Sequence, residues 1–178
     1  MGTTSKGTLH RFFFGLTEHA FCCRMGIADP PLTDYVAGLL VRFVRCDAMY
    51  RVRDLVGRRL DEVAEMLLEA ENRVGVARRE VHRHVGDVAL FWTGVYPEAL
   101  PKLRSTSRKD YFVDYCSQGK RSYLIASTIP ADEDAPRPEV LRRLSEQFEL
   151  CVYGLGEVRR EWERRDPDGE ITGPIMLN

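Results

Sequence analysis

Apolar residues recur along this chain at alternating spacings of three and four, the signature of amphipathic helices. Leu9, Phe12 or Phe13, Leu16, Ala20 and Cys23 mark a first helix. Pro30 and Pro31 reset the chain, and Asp29 before them is placed to cap a second helix. That helix carries Leu32, Val36, Leu39, Phe43, Cys46 and Tyr50 inward, and Gly57 separates it from the next. A third seam runs from Leu60 through Val63, Leu67, Ala70, Val74, Ala77, Val81, His84, Val88 and Phe91 to Val95. Asn72 and Gly75 predict a break within it, and Gly94 and Pro97 close it.

Ser107 and Asp110 resemble a capping box for a fourth helix with Phe112, Tyr115, Gly119, Tyr123 and Ala126 inward. Residues 129–138 read as a loop. A last helix carries Leu141, Leu144, Phe148, Cys151, Leu155, Val158 and Trp162. No strand-like alternation, glycine-rich phosphate loop or repeat occurs. The pattern predicts an all-α bundle of five or six mostly antiparallel helices, one domain over 1–165 with a loosely ordered tail over 166–178.

Two features bear on environment. The five cysteines, Cys22, Cys23, Cys46, Cys116 and Cys151, are odd in number and form no CxxC, which points to free thiols in a reducing cytoplasm. Cys46 and Cys151 fall on apolar seams and read as small core residues. The apolar stretch from Leu9 to Ile27 is interrupted by Arg11, Glu18, His19 and Arg24, so neither a signal segment nor a membrane span is expected.

Net charge is −1, and although arginine outnumbers lysine 22 to 4, acids are interleaved with the arginines. Arg78, Arg79, Arg83, Arg104 and Arg108 are the residues a nucleic acid would use, but the near-zero net charge argues against that partner.

The densest chemistry lies in RREVHRHVGDVALFWTGVYPE, Arg78 to Glu98. His84 occupies a seam position between Val81 and Val88, with Glu80 one turn before it and Asp87 nearly one turn after. Positions i, i+4 and i+7 share a helix face, so these three form a candidate divalent-metal set. The paired Glu-x-x-His motif of carboxylate-bridged di-metal bundles is absent. The competing expectation needs no cofactor: Glu80 or Asp87 orients His84 in a structural network. Tyr111, Tyr115 and Tyr123 would donate hydroxyls to it, and Arg79 and Arg83 would pair with acids at its rim. His82 is expected to face solvent.

Gly86 and Gly94 flank Trp92 and imply either close helix crossing or room for a ligand against an aromatic wall, as do Gly154 and Gly156, which could face Gly86. Arg83, Trp92, Tyr111, Tyr115 and Tyr123 are the candidate ligand contacts, and no catalytic residue is assigned. Phe14, Phe21 and Met25 lie well round the first helix from Phe12, Phe13 and Leu16, so that helix is expected either to be central in the bundle or to meet another chain on its second side, giving a homodimer through it.

The segment GDVALFWTGVYPE at Gly86–Glu98, the DY at Asp110–Tyr111 and GKRSY at Gly119–Tyr123 together resemble a pattern in uncharacterised bacterial all-helical proteins of unknown function. The resemblance covers the central third of the chain and implies a helical fold without naming an activity. The sequence reading is therefore a cytoplasmic helical bundle acting as a protein-interaction or regulatory module. Its alternative is a metal- or small-ligand-binding protein or enzyme with a pocket around Glu80, His84 and Asp87, between the third and fourth helices.

Overall fold

In the computed structural model the described residues are 3–44 and 49–172, with side chains from residue 7 onward. Among the described residues eight α-helices follow in order: α1 (Thr3–Glu18), α2 (Pro30–Phe43), α3 (Val63–Glu71), α4 (Gly75–Val95), α5 (Leu100–Leu103), α6 (Tyr115–Thr128), α7 (Pro138–Glu146) and α8 (Phe148–Arg165). Among the described residues there is no strand, only an isolated bridge between Arg53 and Arg59. None of their helices is long and apolar enough to cross a membrane.

The count exceeds the expected five or six for identifiable reasons. The third seam breaks at Asn72, and Gly75 starts α4 with a φ of +56°, a left-handed geometry that costs glycine little. The single turn of α5 follows Pro97. The last seam splits at Gln147, whose φ of −109° and ψ of 28° leave the helical region while Leu144 and Phe148 both stay buried. Because the apolar phase continues across that kink, periodicity alone reads one helix.

A second departure follows α1. A wide π-turn over His19–Arg24 makes Met25 N donate to Ala20 O and Ile27 N to Phe21 O. The wider turn resets the helical phase, so both Ala20 and Phe21 turn inward. Phe21, on the second apolar side of this segment, is thus covered within the chain by α8. A Cβ built on Gly154 would lie 2.4 Å from its ring. Phe14 is half-buried and stacks on His10 at 3.9 Å.

Helix α4 is the axis, packed by α6, α8, α3 and α2. It is buried on every residue from Val81 to Phe91. Glycines let its neighbours approach closely. Gly86 faces the Tyr123 ring of α6, and Gly94 faces Leu155 of α8. Gly119 of α6 meets Phe148 and Ala89. The contacts 86 to 123 and 89 to 119 make α4 and α6 antiparallel. Gly154 and Gly156 do not face Gly86: the former meets Phe21, and the nearest atom to a Cβ on the latter is Gly94 O at 3.9 Å. With that space free, Gly156→Ala is expected to stabilise the fold by about 0.5–1 kcal/mol through reduced unfolded-state freedom. Urea unfolding followed by circular dichroism checks this, and a loss of stability would contradict it.

Caps fix the remaining geometry. Asp29 caps α2 as expected, accepting from Leu32 N at 3.2 Å. Asp110 does not cap the helix that follows it. Asp114 does, accepting from Ser117 N at 3.1 Å, because the chain between them forms a separate 3-10 turn. Asp110 instead reaches back to α3, accepting from Val63 N at 3.0 Å and Ala64 N at 2.7 Å. Glu62 answers by accepting from the Lys109 and Asp110 backbone N–H groups. This reciprocal cap across distant segments satisfies amide donors at the start of α3 that have no helical partner.

Cys151 is buried as expected of a core residue, and burial with the nearby Asp29 charge pushes its thiol up to about 12. Cys46 lies outside the described residues. The start of the tail is anchored: Asp166 accepts from Ile171 N, Thr172 N and Thr172 Oγ1 at 2.7–3.0 Å.

Candidate functional site

The polar residues of α4 gather around Asp87. Its Oδ1 accepts from the Tyr35 hydroxyl at 2.7 Å and the Tyr123 hydroxyl at 2.8 Å. Its Oδ2 accepts from Arg42 Nη2 at 3.0 Å and lies 3.8 Å from Arg83 Nη1. The carboxylate thus joins α2, α4 and α6 at one buried point. Burial, and then the Asp87 charge, hold both tyrosine hydroxyls well above their usual range, so they remain donors.

Glu80 and His84 have other partners. Glu80 accepts from Arg83 Nε and Nη2 at 3.2 and 2.7 Å and lies 3.6 Å from Arg79 Nη1. His84 is buried, with Nε2 2.9 Å from Met49 O. A carbonyl only accepts, so that nitrogen carries the proton. Burial lowers the His84 pKa, partly offset by the Asp87 charge and the Met49 carbonyl. Glu80, His84 and Asp87 therefore share a stretch of α4 without converging. Among the described residues only Asp61, Glu62 and Glu65 bring three ligand atoms within 4.8 Å of one another. Those carboxylates are engaged by Arg108, by the backbone of 109–110, and by Arg58 and Lys109.

The remaining sequence candidates lie in separate places. Arg83 and Tyr123 belong to the Asp87 cluster. Tyr115 donates to Asp110 at 2.6 Å. Exposed Tyr111 lies with Phe112, Pro97 and Arg104 in another cleft. Trp92 is half-buried against Phe91 and Tyr96.

Two expectations are overturned. Arg79 is fully buried rather than at a rim: its Nε donates to Ala126 O at 3.1 Å and its Nη2 to Pro136 O at 2.5 Å, closing the end of α6. His82 is 2% exposed rather than solvent-facing, because α3 and α6 cover that side of α4. Sequence reasoning also missed Tyr35 and Arg42. Tyr35 sits beside the α2 seam, where a buried hydroxyl needs a partner; Arg42 carries no such signal.

A cleft of about 240 Å³ opens beside this network, lined by Arg51, Arg53, Arg73, Arg83, Glu80 and His84 with Val52 and Val81. Arg73 is engaged by Glu69 at 2.8 Å, and Arg83 by Glu80. Arg53 donates only to carbonyl oxygen, Gly57 O at 2.9 Å, and Arg51 pairs with no acid among the described residues. Among the described residues the single carboxylate of the lining is Glu80, already held by Arg83.

No protein-family model, curated protein or solved structure matches the chain.

Proposed function

We propose that this protein is a small-ligand-binding regulatory module whose cleft takes an oxyanion of the phosphate or pyrophosphate class. The observation that carries this reading is the pair of arginines, Arg51 and Arg53, lining a cleft whose only carboxylate among the described residues, Glu80, is already paired with Arg83. Planar guanidinium groups bind phosphate oxygens in pairs, more specifically than ammonium groups do. The volume is below the roughly 300–1,000 Å³ of pockets that enclose whole drug-sized ligands, so it suits an anionic head group.

The same segment offers the regulatory readout. Residues 49–60 carry both arginines and the His84-bound carbonyl of Met49, and their tip exposes Leu55 and Val56 at 82% and 88%. An anion held by Arg51 and Arg53 would fix the placement of that apolar tip, the natural contact for a protein partner.

Thermal unfolding in low salt tests the reading. Pyrophosphate at 100 times its Kd should stabilise the fold by about 2.7 kcal/mol, or about 5–10 °C for a domain of this size. Arg51→Ala with Arg53→Ala should leave the ligand-free midpoint nearly unchanged, since both residues are exposed, and abolish the shift. An absent shift, or one that survives in the double variant, would overturn the proposal.

A further inference from the structure

A second cavity of about 430 Å³ adjoins α3, α4 and α6, distinct from the basic cleft. Its walls are largely apolar, with Leu67 and Leu68 from α3, Val113, and Ile125 from α6, and Glu71, Gln118 and Arg121 complete the lining. His82 and Ser122 also line it, both buried, and neither has a hydrogen-bond partner: both ring nitrogens of His82 and the Ser122 hydroxyl are unmatched. Buried polar atoms nearly always find partners, and a helical serine ordinarily back-bonds to a carbonyl one turn earlier. Two orphans in one apolar cavity point to a ligand that completes them.

We propose that this cavity binds a small apolar molecule bearing a hydroxyl group, an alcohol or a phenol, through His82 and Ser122. Burial, reinforced by Arg78, lowers the His82 pKa, so the ring is neutral and offers one N–H and one lone pair. Ser122 also both donates and accepts. A hydroxyl matches that dual character, whereas a carboxylate only accepts and an ammonium only donates. An ammonium would also meet Arg78 and Arg121, whose charges act on His82, and a carboxylate would meet Glu71 there. The orphan atoms expose almost no surface of their own, so binding includes a rotation of the Ser122 or His82 side chain.

The test is titration of the full chain with p-cresol and with toluene, followed by NMR of the His82 ring. p-Cresol should bind saturably with a Kd of about 1 mM, the range for a fragment of this size, and shift the His82 resonances. Toluene, identical but for the hydroxyl, should bind about tenfold more weakly, as should p-cresol to Ser122→Ala. No movement of His82 resonances by about 5 mM p-cresol, or toluene binding as tightly as p-cresol, would overturn the proposal. The toluene comparison needs no variant, so it does not depend on any substitution folding.

Discussion

Asp87→Ala is expected to lose about 3–5 kcal/mol of stability, the range for breaking a buried charge network. The substitution orphans the Tyr35 and Tyr123 hydroxyls, each held at 2.7–2.8 Å in the core. An unmatched buried hydroxyl costs about 1–3 kcal/mol. Arg42 adds less, because its side chain is 34% exposed and water replaces part of the lost partner. Asp87→Asn keeps one acceptor and the volume, so it should lose less, about 1–3 kcal/mol. Tyr35→Phe and Tyr123→Phe should each lose about 1 kcal/mol. Equilibrium urea unfolding monitored by circular dichroism supplies the comparison. An Asp87→Ala loss below about 1 kcal/mol would show that this carboxylate does not hold α2 and α6 to α4.

The second large effect is steric. In Gly119→Ala the new Cβ would sit 2.5 Å from the Phe148 ring and 2.9 Å from the Ala89 Cβ. Phe148 and Ala89 are both fully buried, so neither can swing aside without displacing the core. Overpacking of this kind costs about 1–3 kcal/mol and occasionally more, against about 1 kcal/mol gained in helix propensity. The net expectation is a loss of up to about 2 kcal/mol, opposite in sign to Gly156→Ala. A thermal midpoint for Gly119→Ala equal to or above that of the parent chain would contradict the packing of α6 on α4.

These two substitutions mark where sequence reasoning succeeds and where it stops. Close helix crossing at Gly86 and Gly94 was legible, because glycine in a helix interior costs stability and needs a reason. The Asp29 cap and the break between Asn72 and Gly75 were legible from local chemistry. The kink at Gln147 and the π-turn after Glu18 were not. The first preserves the apolar phase and the second shifts it by a residue that periodicity absorbs. Arg79 and His82 were misplaced for one physical reason. Assigning polar residues to solvent assumes a helix with one buried face, and the middle of α4, from Val81 to Phe91, is buried all round. On such a helix, polar groups find partners on neighbouring elements whose identity only the fold discloses. Tyr35 and Arg42, some fifty positions before Asp87, are examples. The cleft arginines escaped notice because residues 49–60 are irregular and carry no periodicity to read.

The three pieces of the sequence pattern in the central third of the chain do different structural work. Gly86 and Tyr123 form the α4–α6 contact, Gly119 seats Phe148, and Asp110 caps α3 from a distance. All three concern how α3 and α6 are fixed around α4. The proposed oxyanion cleft draws instead on the 49–60 segment. Asp87 is held by internal partners, while Arg51 and Arg53 line the cleft.

The central claim, that the cleft beside α4 is built for an oxyanion, is tested most directly by calorimetric titration of pyrophosphate into the parent chain and the Arg51→Ala, Arg53→Ala double variant. The expected result is one-site binding to the parent chain that weakens steeply as salt rises, as phosphate contacts to arginine do, with no measurable heat in the folded double variant. Equal heats from the two proteins, or none from the parent chain at low salt, would contradict it.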